Sequence, residues 1–336
     1  MAKSKIRIGI LGAGAMGTEH ADVYRAIEGV EVAGVFSRTS ERATTVANIC
    51  NARAATDPHE LIEDPTIDAI DVCLPTIEHR AFVVAALGRG KHVFCETPFA
   101  LSLEDAEAMA EAARKSGRVL LVGLLVRSIA DYEHVQRIAT SGELGKLLSV
   151  TAYRRGSYLR PDAPDHKAHY SDPSTELMTF DFDFVQWLMG PPIRLTASAV
   201  NTAAGTPGEI TAVLDYGGNR NATVLASGMM PSSFPFTLGF RVLFEDGAFE
   251  METVFKGGPP EGNLVFYPKR GDSQVLSIAG HNPYEKELQR FVDCIRGEGD
   301  KTLLDSQRAI ETLKLSLATQ LSLRDRRAID VGSIRS

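Results

Sequence analysis

The chain has 336 residues, 44% of them hydrophobic and 24% charged, with a net charge of −7. That balance is ordinary for a soluble globular protein, and the length predicts two domains rather than one. An acidic chain offers no electrostatic ground for nucleic acid or an anionic membrane as partner, and no stretch approaches the ~18 uninterrupted apolar residues of a membrane span.

The start, MAKSKIRIGILGAG, is basic and then briefly apolar, but it runs into glycines rather than a cleavage site. It reads as a first strand, not a signal peptide. Cys50, Cys73, Cys95 and Cys294 are far apart with no CxxC spacing. They are expected to be reduced thiols, with Cys73 and Cys95 in the core, which suggests a cytoplasmic protein.

In chain order, the first third repeats strand, turn and helix. KIRIGILGAG is a buried strand and MGTEHADVYRAI a helix; EVAGVFSR and SERATTVANIC repeat the pair. IDAIDVCLP, KHVFCE and RVLLVGLL are further strands, with EHRAFVVAALGRG and LEDAEAMAEAARKSG as helices between them. Short β-rich runs alternating with longer helices imply a doubly wound parallel sheet.

The first turn carries Gly12-Ala13-Gly14-Ala15-Met16-Gly17, a GxGxxG that directly follows a strand and opens a helix. That context gives an otherwise weak motif its value. Gly12 permits the tight turn, Gly14 lets backbone approach a pyrophosphate, and Gly17 lets the helix pack close. The helix N-terminus offers free N–H groups to phosphates. At the end of the second strand an Asp or Glu would hold the ribose hydroxyls of NAD. Here the residues are Phe36-Ser37-Arg38-Thr39. No carboxylate repels a 2′-phosphate, and Arg38 can pair with one, for roughly 1.5–3 kcal/mol. NADP is therefore favoured over NAD, with a solvated surface arginine as the plainer alternative for Arg38.

After Arg127 the period changes. IADYEHVQRIATSG reads as a helix and KLLSVTAYRRGSY as a strand, followed by the irregular LRPDAPDHKAHYSDPST. TELMTFDFDFVQWLMG is helical, with Phe184 and Trp187 expected in the core. Residues 193–279 are strands and Gly-rich turns, which suggests one large, mostly antiparallel sheet. Two helices close the chain. The expected domains are 1–125 and 126–336.

At this point GILGAGAMGTEHADVY, GKHVFCETPFALSLEDAEAM, RIATSGELGKLLSV and DFDFVQWLMGPP together resemble the Gfo/Idh/MocA family of glucose–fructose oxidoreductases and inositol dehydrogenases. The resemblance spans the chain. It implies a Rossmann domain, an α+β domain whose open sheet serves oligomerisation, and a nicotinamide cofactor. It also implies hydride transfer at a ring hydroxyl of a sugar, cyclitol or related polyol. The family's usual Glu-Lys-Pro falls at Glu96-Thr97-Pro98, so the proton-transferring lysine is a threonine here. A second motif of Asp, His and Asp on one helix falls at Glu176, Phe180 and Asp183, so the imidazole is missing too.

Two explanations compete: a site rebuilt with other residues, or loss of ordinary redox chemistry. For the first, Glu96, Thr97, Lys167, His169 and Glu176 are the catalytic candidates. Arg127, Tyr153, Tyr158, His166, Tyr170, Phe180 and Asp183 are the substrate-binding candidates. Cofactor contacts are expected at Gly12, Gly14, Ala15, Met16, Gly17, Ser37, Arg38, Leu74, Pro75, His79, Glu96 and Thr97. Thr97 is expected to position a hydroxyl while another group, in the 153–176 region, takes the proton. His20 is expected to be structural. The irregular spacing of His166 and His169 argues against a metal. The other readings are a dinucleotide-binding sensor without turnover, and an enzyme that uses nicotinamide transiently for elimination or hydrolysis. A homodimer or homotetramer is expected through residues 193–279, where a sheet face lacks helices to cover it.

Overall fold

The computed structural model describes residues 5–160 and 172–335. The chain forms two units, one of residues 1–129 and 281–310, the other of residues 130–280 and 311–335. Residues 281–310, expected in the second domain, belong to the first unit, which reclaims this late segment of the chain.

In the first unit, β1 (Ile6–Leu11), β2 (Val30–Phe36), β3 (Arg53–Ala55), β4 (Ala69–Val72), β5 (His92–Cys95) and β6 (Leu120–Val122) form one sheet in the order β3-β2-β1-β4-β5-β6. Every neighbouring pair is parallel. The helices between them are α1 (Ala15–Ala26), α2 (Ser40–Ile49), α3 (His59–Ile62), α4 (His79–Gly88) and α5 (Leu103–Ser116). Such a sheet buries both faces, which is why β1 and β4 read as continuous apolar runs. Ile8, Ile10 and Leu11 of β1 are fully buried, as are Ile70 and Val72 of β4. Helix α5 shows the local logic. Ser102 Oγ accepts from the Asp105 N–H at 3.1 Å, Glu104 and Asp105 occupy the first turn, and Gly117 ends the helix at φ 66°. Cap, charge and left-handed terminator agree.

The reclaimed segment contributes α9 (Pro283–Arg296), which packs on α1. Asn282 Oδ1 accepts from the Tyr284 N–H at 2.9 Å and Pro283 opens the helix. Leu288, Phe291 and Val292 are fully buried, and Phe291 meets Phe94 of β5 at 5.6 Å between ring centroids.

The second unit is built on nine strands: β7 (Leu147–Arg155), β8 (Arg194–Asn201), β9 (Pro207–Asp215), β10 (Asn221–Ser227), β11 (Phe236–Phe244), β12 (Gly247–Phe255), β13 (Glu261–Pro268), β14 (Gln274–Leu276) and β15 (Ile329–Asp330). Their order is β14-β13-β12-β11-β7-β10-β9-β8-β15, and only β7 and β10 run parallel. The helices α6 (Ala130–Ser141), α7 (Pro173–Glu176), α8 (Met178–Met189) and most of α10 (Ser306–Asp325) complete the unit. Tyr132 of α6, Phe184 of α8 and Phe240 of β11 meet pairwise at 4.6–4.9 Å between centroids, the aromatic centre of this core. Phe184 is thus core as expected, while Trp187 is only half-buried.

Strand β7 alternates. Val150, Ala152 and Arg154 are buried against α8, and Tyr153 and Arg155 point to the other face. The register carries that other face across the sheet: Tyr153 pairs with Gly239 and Leu225, Gly239 with Glu252, and Glu252 with Asn263. Counting along each strand by twos puts Val213, Leu243, Tyr267 and Val275 there as well, each exposed by 41–67%. Gly239 has a role in this row. A Cβ there would lie 2.5 Å from the Tyr153 hydroxyl, so its absence lets the ring cross β11 to donate to Glu252 Oε2 at 2.5 Å.

Candidate active site

The glycine loop sorts its three glycines by what surrounds them. Gly12 has φ +115°, and a Cβ would meet the Cys73 carbonyl oxygen at 2.4 Å. At Gly17 a Cβ would fall 1.9 Å from the Gly12 carbonyl oxygen. Both positions are closed to any side chain. Gly14 has nothing within 4 Å of its missing Cβ, so its backbone faces open space. Helix α1 begins there, with no side-chain cap and no acidic residue in its first turn. Uncapped N–H groups beside an unobstructed glycine suit an incoming pyrophosphate. Ala15 and Met16 lie in this first turn.

At the end of β2, Ser37 Oγ accepts from the Thr39 N–H at 3.3 Å, which shapes the turn. The Arg38 side chain is 72% exposed and lies 3.4 Å from Glu78. At the end of β4, Leu74 is buried and Pro75 exposed. His79 is 1% exposed. Its Nε2 is 2.8 Å from the Leu74 carbonyl, and its Nδ1 is 3.3 Å from Cys95 Sγ and 3.2 Å from the Phe99 carbonyl. Burial lowers its proton affinity. A neutral ring with its proton on Nε2 donates to the Leu74 carbonyl and accepts from the Cys95 thiol at Nδ1, so His79 ties the ends of β4 and β5 together.

Glu96-Thr97-Pro98 follows β5, with a cis Thr97–Pro98 peptide. The Thr97 N–H donates to Glu96 Oε2 at 2.9 Å. Gly123, just past β6, leaves room for that carboxylate: a Cβ would stand 3.1 Å from Oε2. The other oxygen, Oε1, is 2.9 Å from His20 Nε2, an ion-pair contact off the hydrogen-bond line. His20 Nδ1 is 2.8 Å from Asp71 Oδ2. Burial alone would push the imidazole down, yet Asp71 beside it turns the net shift well upward. The thiol of Cys73, 3.4 Å from the same nitrogen, is itself pushed up by burial and stays neutral. Sequence reasoning set His20 aside as structural. The signal was there: Gly17, His20, Ala21 and Tyr24 form the buried stripe of α1, and a histidine on such a stripe needs partners.

In the second unit, Glu176, Phe180 and Asp183 do not share one helix. α7 ends at Glu176 and α8 begins at Met178. Asp183 is 1% exposed and lies 3.4 Å from Thr312 Oγ1, inside the core. Glu176 is half-buried. Phe180 lies under the Arg154 guanidinium, 4.6 Å from ring centre to Cζ. Arg154 also faces Asp181, at 3.2 Å from Nε to Oδ2. Burial pushes the Asp181 carboxyl up to about 6 despite the pull of Arg154. This pair was missed in the sequence, although the alternation of β7 already turns Arg154 inward and an inward arginine calls for an acid.

Three further substrate-binding candidates are placed as follows. Tyr153 lies on the sheet face away from α8, with Arg155 stacked over it at 4.4 Å. Arg127 is 3% exposed and donates to the Leu303 carbonyl at 3.2 Å, where it holds the chain between α9 and α10. Tyr158 is 5% exposed. His166, Lys167, His169 and Tyr170 lie outside the described residues. A shallow cavity lined by Lys5, Asp68, Lys91 and Arg118 opens beside the starts of the strands in the first unit, not at the glycine loop.

Two outcomes follow from this geometry. Gly14→Ala is expected to unfold like wild type but to weaken NAD(P)H binding at least about tenfold, while Gly17→Ala loses at least about 2 kcal/mol of stability, the scale of an overpacked site. Fluorescence titration and thermal unfolding separate the two effects, and equal behaviour would refute the assignment. The second concerns Asp181. Its folded carboxyl holds a proton to higher pH than the unfolded one, so its contribution to stability is full below its ordinary 3.8 and is lost as pH rises through about 6. The loss is on the order of 3 kcal/mol, at ~1.4 kcal/mol per pH unit. The stability advantage of wild type over Asp181→Asn should fall by that amount between those pH values. Trp187, the sole tryptophan and on the same helix, reports it in denaturant titrations.

Comparison with known proteins bears on the whole chain. Residues 6–124 match the oxidoreductase family with an NAD-binding Rossmann fold, and residues 132–250 match the GFO/IDH/MocA C-terminal domain. An inositol 2-dehydrogenase 4 of Saccharopolyspora erythraea is 30% identical over 313 residues, 89% of this chain and 88% of that protein. A myo-inositol 2-dehydrogenase of Thermotoga maritima is 25% identical over 98% of this chain and 99% of its own length. A solved structure of a putative NADPH-dependent oxidoreductase from Desulfitobacterium hafniense superposes with a TM-score of 0.88 at 16% identity, covering 98% of this chain and 99% of that one. With its open Gly14 cradle and its two-part sheet architecture, the chain belongs to the Gfo/Idh/MocA family of oxidoreductases, whose Rossmann unit takes NAD(P).

Proposed function

We propose that this protein is a dehydrogenase or reductase acting on a ring hydroxyl or ketone of a sugar, cyclitol or related polyol, with NADP preferred over NAD. The observation that carries the reading is the unobstructed Gly14 backbone at the bare N-terminus of α1 in a chain whose relatives include inositol 2-dehydrogenases. The nicotinamide supplies the two-electron acceptor or donor. The chain supplies the cradle: Gly12 and Gly17 fix the turn, Gly14 gives the close approach, and the first N–H groups of α1 hold the pyrophosphate. Thr97 positions the reacting hydroxyl, since its own hydroxyl cannot act as a base near neutral pH. The test is a panel of cyclitols, aldoses and ketoses assayed for a change in NAD(P)H absorbance, in which a polyol substrate is expected. A panel with no turnover in either direction sinks the reading.

The preference for NADP rests on Arg38. It is mostly exposed and contacts Glu78 only loosely, so turning toward a 2′-phosphate costs little. Calorimetry is expected to give NADPH at least about tenfold tighter binding than NADH, with Arg38→Ala removing most of the difference. Equal affinities in the wild type refute the preference.

The uncovered sheet face supports self-association. Val213, Leu243, Tyr267 and Val275 lie on one face of the nine-stranded sheet and each is at least 41% exposed. A second copy is the proposed occupant, because the mixed row of Tyr153, Arg155 and Glu252 is self-complementary in charge. Sedimentation at micromolar concentration should give a dimer or tetramer, and Val213→Arg together with Leu243→Arg should shift it toward monomer. A monomeric wild type overturns this.

A further inference from the structure

The cluster behind Thr97 contains one more acid. Glu287 of α9 is fully buried, and neither of its carboxylate oxygens has a hydrogen-bond partner among the described residues. One side-chain nitrogen or oxygen from each of Glu287, Glu96 and His20 lies within 4.8 Å of the others. The walls are Tyr24 at 6.4 Å and Phe94 at 5.6 Å from His20 by ring centroids, with Tyr284 at 6.2 Å. Asp71 and Cys73 face the ring from the end of β4. His79 and Cys95 stand behind Glu96.

One imidazolium cannot balance three carboxylates. An ionised, unpartnered carboxylate in such surroundings is costly enough that it takes up a proton. Burial and the neighbouring Glu96 charge push the Glu287 carboxyl well up. His20 is left to serve Asp71 and Glu96, its two contacts. The cluster then holds one cation, two carboxylates and one neutral acid. Of its carboxylates only Glu96 is accessible: its side chain is 12% exposed, while Asp71 and Glu287 are fully buried. Glu96 also abuts Thr97, where the family's lysine would stand.

We infer that Glu96, held by His20 and Asp71 and backed by a neutral Glu287, takes the hydroxyl proton that a lysine takes elsewhere in the family. The inference rests on the polyol-oxidising reading above. On oxidation the C–H hydride passes to NAD(P)⁺, the O–H bond breaks as the C=O bond forms, and the hydroxyl proton goes to the Glu96 carboxylate and then to water. Reduction runs the same steps backward. His20 and Asp71 are positioning residues. They turn one Glu96 oxygen inward and leave the Thr97 side for the substrate. Glu287 keeps the negative charge behind Glu96 from growing.

The first readout needs no cofactor. Infrared difference spectra of wild type minus Glu287→Gln at pH 7 should show the C=O stretch of a neutral carboxylic acid. Its absence, or a stoichiometric divalent metal in the purified protein by elemental analysis, overturns the charge arrangement and the inference with it. The second uses Glu96→Gln, whose amide oxygen can still accept from Thr97. NADPH affinity by fluorescence titration should stay within about threefold of wild type, while turnover of the best polyol falls roughly 10²–10⁴-fold, the scale for losing a general acid or base. Glu287→Gln, which mimics the neutral acid, should lower turnover by less than about fivefold. If wild type turns over a polyol and Glu96→Gln stays within tenfold of it, the inference fails while the redox reading stands. If wild type turns over nothing, the redox reading fails and takes the inference with it.

Discussion

Everything in the first unit hangs on the approach of Gly17 to the Gly12 carbonyl. With no Cβ at residue 17, α1 seats directly on the sheet. The contact does two things at once. It aims the bare N-terminus of α1 at the space beside Gly14, and it lowers His20, one turn further on, into reach of Asp71 and Glu96. The loop that receives the cofactor and the buried charges behind Thr97 are thus set by one helix and one steric fact. A displaced helix would spoil both.

The fold was largely readable because its signals are local. Alternating apolar runs and helical periods pointed to five of the six parallel strands, missing the three-residue β3, and the glycine pattern in its strand–helix context pointed to the cofactor cradle. The site was less readable because its partners are distant in sequence. Nothing near His20 names Glu287, 267 positions later by their numbers, and nothing near Arg154 names Asp181. Those pairings depend on which face meets which, and a single sequence shows faces only within one element. The three-residue motif on TELMTFDFDFVQWL failed for a related reason. Its spacing assumed one unbroken helix, and the break between Glu176 and Met178 changes which side chains turn inward.

The two departures from the family pattern have different physical settings. Phe180 offers its ring face to Arg154, a contact that a protonated imidazole would repel. With Asp181 on the same guanidinium, Arg154 is held by one aromatic and one acid on a single helix. Among the described residues, Thr97 has no such neighbour. Its backbone N–H is fixed by Glu96, and its side chain is half-buried. One replacement is a half-buried ring that packs on the buried Arg154 of the second unit. The other changes the chemistry available at a strand end.

The return of residues 281–310 to the first unit sets an order of assembly. When the ribosome has made residue 129, the parallel sheet exists in sequence but α9 does not. Phe94 then lacks Phe291, His20 lacks Tyr284, and Arg127 lacks the Leu303 carbonyl. Residues 130–280 of the second unit, with their local hairpins, are synthesised before those partners emerge. The nascent nucleotide-binding half therefore carries an unsealed apolar flank through some 150 further residues of translation, the kind of surface that chaperones hold. For the same reason a fragment cut after residue 129 is not an independent Rossmann domain, and residues 130–280 alone lack the α10 and β15 of their own unit.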